Sequence, residues 1–190
     1  MKKTDLWQFF FKKVCLVLCV LSVLCCQTPL DKLSLSIKEP SELMSWMQQN
    51  ITYLNIPDIK QWKYLSPDEV MNSKKGDCIH QSAFFKEVLG KKGRSCSLLF
   101  INREHNYDHA VCYWKDESGK FFWLENAWKS RRGMHGPFDS LEQMSQQIFD
   151  WMQEENGKVD HYTINSFDDV PYGIGWFDFL KQVKLIKRVE

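Results

Sequence analysis

A surplus of charge is the first thing this chain lacks: 25 Lys and Arg stand against 24 Asp and Glu over 190 residues. Four of the lysines and one aspartate lie in the first 27 residues, so the remainder carries 21 basic and 23 acidic side chains. That balance excludes the broad basic face that a nucleic-acid partner needs. The chain also lacks any Cys-x2-Cys pair that would support structural zinc, and it has no internal repeat or low-complexity tract. No apolar run reaches the ~20 residues of an ordinary membrane-spanning helix.

The longest apolar run is residues 14–26, 13 residues placed directly behind Lys12-Lys13, with Lys2 and Lys3 upstream. A basic start followed by a short greasy stretch is the layout of a signal peptide. Residues 1–27 are therefore expected to be a signal peptide or membrane anchor, making the protein exported or membrane-anchored. A cytoplasmic protein with a buried hydrophobic N-terminal helix is the alternative. Cys25-Cys26 at the end of the run raise lipid attachment, although Val23-Leu24 and Leu24-Cys25 lack the small residue that such processing uses.

Hydrophobic residues make up 44% of the chain and aromatics 14%, with eight Trp and thirteen Phe, enough for an ordered core in one domain. Pro29 and Pro40 among scattered charges mark 28–40 as a linker, which leaves 41–190 as the folded domain. Ser41 to Asn50 has helical spacing with Ser41 as its cap. Ser66-Pro67-Asp68-Glu69 and Asp139-Ser140-Leu141-Glu142 read as capping boxes, the second opening a helix that runs to about Met152. From Cys78 the apolar positions Ile79, Ala83, Phe84 and Val88 predict a buried helix ending at Gly90.

Strands are expected at 96–102, 110–115 and 120–125, the last two joined by the turn Asp116-Glu117-Ser118-Gly119. A short strand near Tyr162 to Asn165 and a last amphipathic helix from Trp176 complete an α+β fold, with helices preceding an antiparallel sheet.

Four of the seven cysteines lie in the N-terminal run, leaving Cys78, Cys96 and Cys112. Cys96 and Cys112 sit in strand patterns and read as core residues, with a disulfide between them as the alternative. Cys78 differs, because it follows Gly76-Asp77 and opens a helix. Unpaired N–H groups and the positive dipole end favour thiolate there and would also carry the charge of a developing oxyanion. His109, at the start of a strand, can act as general base and then acid. A third group must hold the imidazole tautomer, and Glu125 and Asn126 are the two candidates, facing opposite ways if the strand continues. Gln61 and Trp62 are candidates for a second oxyanion donor.

In this order and spacing the chain resembles the transglutaminase-like superfamily of papain-fold cysteine enzymes. The resemblance covers roughly Ser41 to Trp128. It rests on Gly76-Asp77-Cys78, on the strand histidine His109, and on Glu125 after Trp123-Leu124, where the family has aspartate. It implies a papain-like fold with the nucleophile helix packed on a small antiparallel sheet, and a catalytic triad of Cys78, His109 and Glu125. The implied chemistry is acyl transfer through a thioester on a peptide or protein substrate, by hydrolysis or amide exchange. No cofactor and no metal are called for.

Two other readings follow from the same residues. One is a catalytically silent module that binds a peptide or cell-envelope component. The other is a metal site drawn from Cys78, His80, His105, His109 and Cys112. His135, in a glycine-rich loop, is a second histidine that could line the groove. The clusters Lys91-Lys92-Arg94 and Lys129-Arg131-Arg132 could form an anion site.

Overall fold

The computed structural model describes residues 27–103, 108–157 and 161–189. Residues 1–26 of the expected signal or anchor segment lie outside them, as does His105. Among the described residues no helix is long and apolar enough to cross a membrane.

Among the described residues six α-helices surround an antiparallel sheet, in agreement with the α+β expectation. The first departure is the expected linker. Pro29–Ser36 forms helix α1, opened by Thr28 and Asp31 in a capping box. Leu30, Leu33 and Ile37 are buried in the main core, so this segment is part of the domain. Its amphipathic pattern spans barely two turns between prolines, too short for periodicity alone to reveal.

Helix α2 is Pro40–Asn50, with Pro40 at its first position and Glu39 rather than Ser41 at the cap. Helix α3, Pro67–Ser73, carries the Ser66 and Glu69 capping box, and Lys74 ends it in the left-handed region at φ 58°. Two short strands, β1 (Thr52–Tyr53) and β2 (Lys75–Gly76), pair in parallel, with Tyr53 opposite Gly76. Helix α4 is Cys78–Lys91.

The six-stranded sheet comprises β3 (Cys96–Asn102), β4 (His109–Lys115), β5 (Phe121–Glu125), β6 (Gly133–Phe138), β7 (Tyr162–Ser166) and β8 (Lys184–Val189), in the order β6-β5-β4-β3-β7-β8. Helix α5 (Leu141–Asn156) precedes β7, and α6 (Trp176–Gln182) precedes β8. Ser140 caps α5 through the Gln143 N–H, while Gln143 reaches back to the Asp139 N–H. The final amphipathic segment is therefore a short helix followed by an edge strand. Val183 turns the chain extended, and 184–189 pairs with β7.

Alternation along the strands divides the apolar side chains between two layers. Leu98, Phe100, Ala110, Cys112, Trp114 and Leu124 join the core shared with α1 to α4 and α6. Leu99, Ile101, Val111 and Trp123 face α5, packing with Met144, Ile148 and Met152. Helix α4 thus lies on one face of the sheet and α5 on the other. The N-terminus of α4, the start of β4 and the end of β5 meet at one end of the sheet.

Candidate active site

A 14-residue helix opens at Cys78 because Asp77 caps it: the Asp77 carboxylate accepts from the His80 N–H at 3.1 Å, and His80 Nδ1 accepts from the Asp77 N–H at 3.2 Å. His80 Nε2 lies 2.8 Å from the Lys63 carbonyl, and Nδ1 also lies 2.9 Å from Asp77 Oδ1, so the ring is held between the cap and the Lys63 backbone. The Trp62 indole N–H donates to the other Asp77 oxygen at 2.6 Å. Burial opposes the Asp77 charge, yet His80 and Trp62 hold its carboxyl below the usual range. The Trp62 indole N–H is therefore committed to Asp77, and neither Trp62 nor Gln61, the oxyanion donors that the sequence offered, lines the cavity that holds Cys78.

Gly76 precedes this cap on the buried side of the turn. A Cβ there would come within 2.9 Å of the His80 Cβ, inside the closest approach that packed carbons tolerate. The tight approach of the turn to its own helix requires glycine, although the backbone is not left-handed.

Cys78 and His109 line one cavity of about 190 Å³, together with Tyr53, Asp108, Trp128 and Glu155. The His109 ring is mostly buried, and its Nε2 lies 2.5 Å from Glu125 Oε2. The other Glu125 oxygen accepts from the Trp128 backbone N–H at 2.7 Å, which locks the carboxylate between the two. An ionised carboxylate only accepts, so Nε2 carries the proton and Nδ1 keeps the lone pair that a general base needs. The Trp128 ring packs edge-on against the imidazole, 5.2 Å between centroids, and its indole N–H bonds Glu155.

The two candidates for orienting His109 separate by face. Glu125 reaches the imidazole; Asn126 turns to α4 and donates from Nδ2 to Gln81 Oε1 at 2.6 Å. Glutamate's longer arm spans a diagonal across β4 and β5, in which Leu124 pairs with Cys112 and His109 lies beyond the last pair.

Contrary to the thiolate expected at a helix start, the Cys78 thiol is pushed well up. Burial is the main cause and the neighbouring Asp77 anion the next, while a bond from the Ala110 N–H works the other way. The helix end already holds a carboxylate at its cap, and that charge offsets part of its positive potential at the sulfur. Cys78 retains some solvent exposure, but its sulfur needs a partner to become thiolate.

Sequence reasoning missed Tyr53 and Asp108. Tyr53 comes from a two-residue strand with no detectable pattern, and its hydroxyl is pushed up by burial and by the nearby Cys78, Asp77 and Glu125. Asp108, bonded by the Arg103 N–H at 3.2 Å, is pushed up by burial to about 6. Its folded value exceeds the unfolded value of about 3.9, so the native state binds the extra proton and loses stability as pH rises from about 4 to 6. Asp108→Asn is expected to flatten that part of the profile, read as urea midpoints at pH 4.5 and 7. It should also bring the Cys78 thiol down, because one anion near the sulfur is gone. Equal pH sensitivity of the two proteins would contradict this assignment.

The remaining candidates lie elsewhere. His135 is on strand β6, its ring tilted against Trp123 with 4.4 Å between centroids and bonded to the Arg131 carbonyl, and it does not line the Cys78 cavity. Cys96 and Cys112 are free thiols in hydrogen-bond reach of one another, Cys112 fully buried. Among the described residues no group of three His, Cys, Asp or Glu side chains is arranged for a metal ion. The basic clusters are largely engaged within the fold. Lys91 pairs with Asp31 and Glu87, Arg94 covers Trp114, Arg131 bonds Glu154 and Arg132 bonds the Asn126 carbonyl.

Compared with known proteins, the chain matches no family model, and no characterised protein matches its sequence.

Proposed function

We propose that this chain is a transglutaminase-like cysteine enzyme of papain-like fold, which transfers an acyl group from a peptide or amide through a thioester on Cys78. The observation that carries the reading is the His109 Nε2 to Glu125 Oε2 bond, 2.5 Å long, on the wall of the cavity that Cys78 shares. A base whose tautomer is fixed, beside a thiol whose own environment keeps it protonated, is the pairing that nucleophilic catalysis by cysteine needs.

In that mechanism His109 Nδ1 takes the thiol proton as sulfur attacks the substrate carbonyl. The C–S bond forms, and the carbonyl oxygen becomes an oxyanion that the N–H groups at the start of α4 stabilise. Collapse breaks the bond to the leaving amine, which receives its proton from the imidazolium. Water or an amine then attacks the thioester as His109 takes its proton, and collapse breaks the C–S bond, releasing the acyl product and the Cys78 sulfur, which recovers its proton from the imidazolium. Glu125 stabilises the imidazolium at each stage without changing protonation state.

An activated ester is the direct probe. Incubation of the full chain with p-nitrophenyl acetate should acetylate Cys78, seen by peptide mass mapping, with a burst of nitrophenolate equal to the enzyme. Acylation of other cysteines at the same rate would remove the support for an enzyme.

The raised thiol favours a second reading, a silent module that keeps the fold and binds a peptide. It predicts no burst and an unreactive Cys78 at neutral pH. The proposal that residues 1–27 export or anchor the protein is checked by the intact mass of the mature product, since retention of Met1 in a soluble protein excludes cleavage.

A further inference from the structure

Directly after the residue that holds the base comes one whose bonds lead to the nucleophile. Asn126 is buried at 1% exposure and donates to Gln81 Oε1; Gln81, at 2%, donates from Nε2 to the Gly76 carbonyl at 2.6 Å. The amide orientations follow by elimination. A backbone carbonyl only accepts, so Gln81 must turn its NH2 toward Gly76 and its oxygen toward Asn126, which must then present its own NH2. The Gly76 carbonyl also accepts from the Leu54 N–H at 3.1 Å, so it is held from two sides, two residues before Cys78.

This chain of bonds has a cost that packing does not explain. Asn126 Oδ1 is buried and has no hydrogen-bond partner among the described residues. Asparagine at 126 thus leaves one buried acceptor unpaired while its NH2 serves Gln81, and an apolar residue there would leave the Gln81 oxygen unpaired instead.

We propose that Gln81 and Asn126 are positioning residues, which fix the Gly76-Asp77-Cys78 turn relative to the base. Because Glu125 holds His109 and Asn126 holds the turn through Gln81, one dipeptide at the end of β5 sets both ends of the sulfur to imidazole separation. The proposal rests on the catalytic reading given above. Neither residue touches the reacting atoms. Each acts through the placement of Cys78, and displacement by about 1 Å at a reacting centre can cost on the order of 100-fold.

The test is the pH profile of Cys78 alkylation by iodoacetamide on the full chain, followed by peptide mapping so that the other cysteines do not contribute. It is run well below the melting temperature on the native protein, Gln81→Met, Asn126→Ala and the double variant, with His109→Ala as the reference for a lost base. Each single variant is expected to lower the neutral-pH rate about tenfold or more and to shift the profile toward that of His109→Ala. The double variant should fall no further than the worse single one, because both break one chain of bonds.

A native profile in both single variants, with only the melting temperature changed, overturns the proposal and leaves the catalytic reading in place. If His109→Ala itself keeps the native profile, the catalytic reading fails instead. Should the variants not fold, the native protein still decides. A through-hydrogen-bond NMR coupling between Gln81 Nε2 and the Gly76 carbonyl carbon is expected, and its absence refutes the arrangement.

Discussion

His109→Ala is expected to slow the reaction of Cys78 with iodoacetamide at pH 7 by about 100-fold or more, the usual range for loss of a general base. The direction in pH is set by the surroundings of the sulfur. Burial and the Asp77 charge raise the thiol above its ordinary range, so without a base it ionises only at alkaline pH, later than a free cysteine near 8.5. The alkylation profile should therefore move upward in pH, and reactivity at high pH should recover toward the native value. This distinguishes a lost base from a misfolded site, which would expose the thiol and return it to ordinary reactivity. Identical profiles for the native protein and the His109→Ala variant would show that the imidazole does not act on the sulfur.

Glu125→Gln should be at least as damaging while changing the shape of the site very little. The carboxylate accepts from His109 Nε2 and from the Trp128 N–H, and both bonds call for an acceptor. A glutamine has one acceptor oxygen. If it keeps the Trp128 bond, its NH2 faces Nε2 and favours the tautomer protonated on Nδ1, which cannot take the Cys78 proton. Loss of the correct tautomer at an equivalent position costs on the order of 10⁴-fold in kcat. Pre-steady-state acylation by p-nitrophenyl acetate is the measurement, and a drop of less than tenfold would assign Glu125 a merely structural role. Glu125→Asp keeps the charge but shortens the arm across the β4 to β5 diagonal, so a large loss is expected there also.

Much of the frame around these residues is legible in the chain. The Ser66 capping box, the helix opening at Cys78 and the strand at Cys96–Asn102 are encoded by neighbours three or four positions apart, or by an unbroken apolar run. Each such signal is local, so it survives without knowledge of the fold. Elements that borrow stability from distant partners carry weaker signals. Helix α1 has a local cap in Thr28 and Asp31 but only a few apolar residues, and its place in the domain depends on Leu30 and Leu33 reaching the main core. Strand β8 exposes Leu185 and Ile186, so it shows no buried alternation; its pairing with β7 makes it a strand. His135 sits among glycines yet belongs to β6, paired opposite Trp123.

The site divides in the same way. By itself the sequence singled out the candidate nucleophile, the candidate base and the pair of residues from which the group that orients His109 comes, since the cysteine at a helix start, the histidine at a strand start and Glu125-Asn126 at a strand end are positional signals. Only the tertiary structure decided that Glu125 takes His109 while Asn126 takes Gln81, because that choice depends on which layer each face of β5 meets. It also reversed the expected state of the Cys78 thiol. Protonation depends on how much water is excluded and which charges lie within a few ångströms, and neither quantity exists until helix and sheet have packed together.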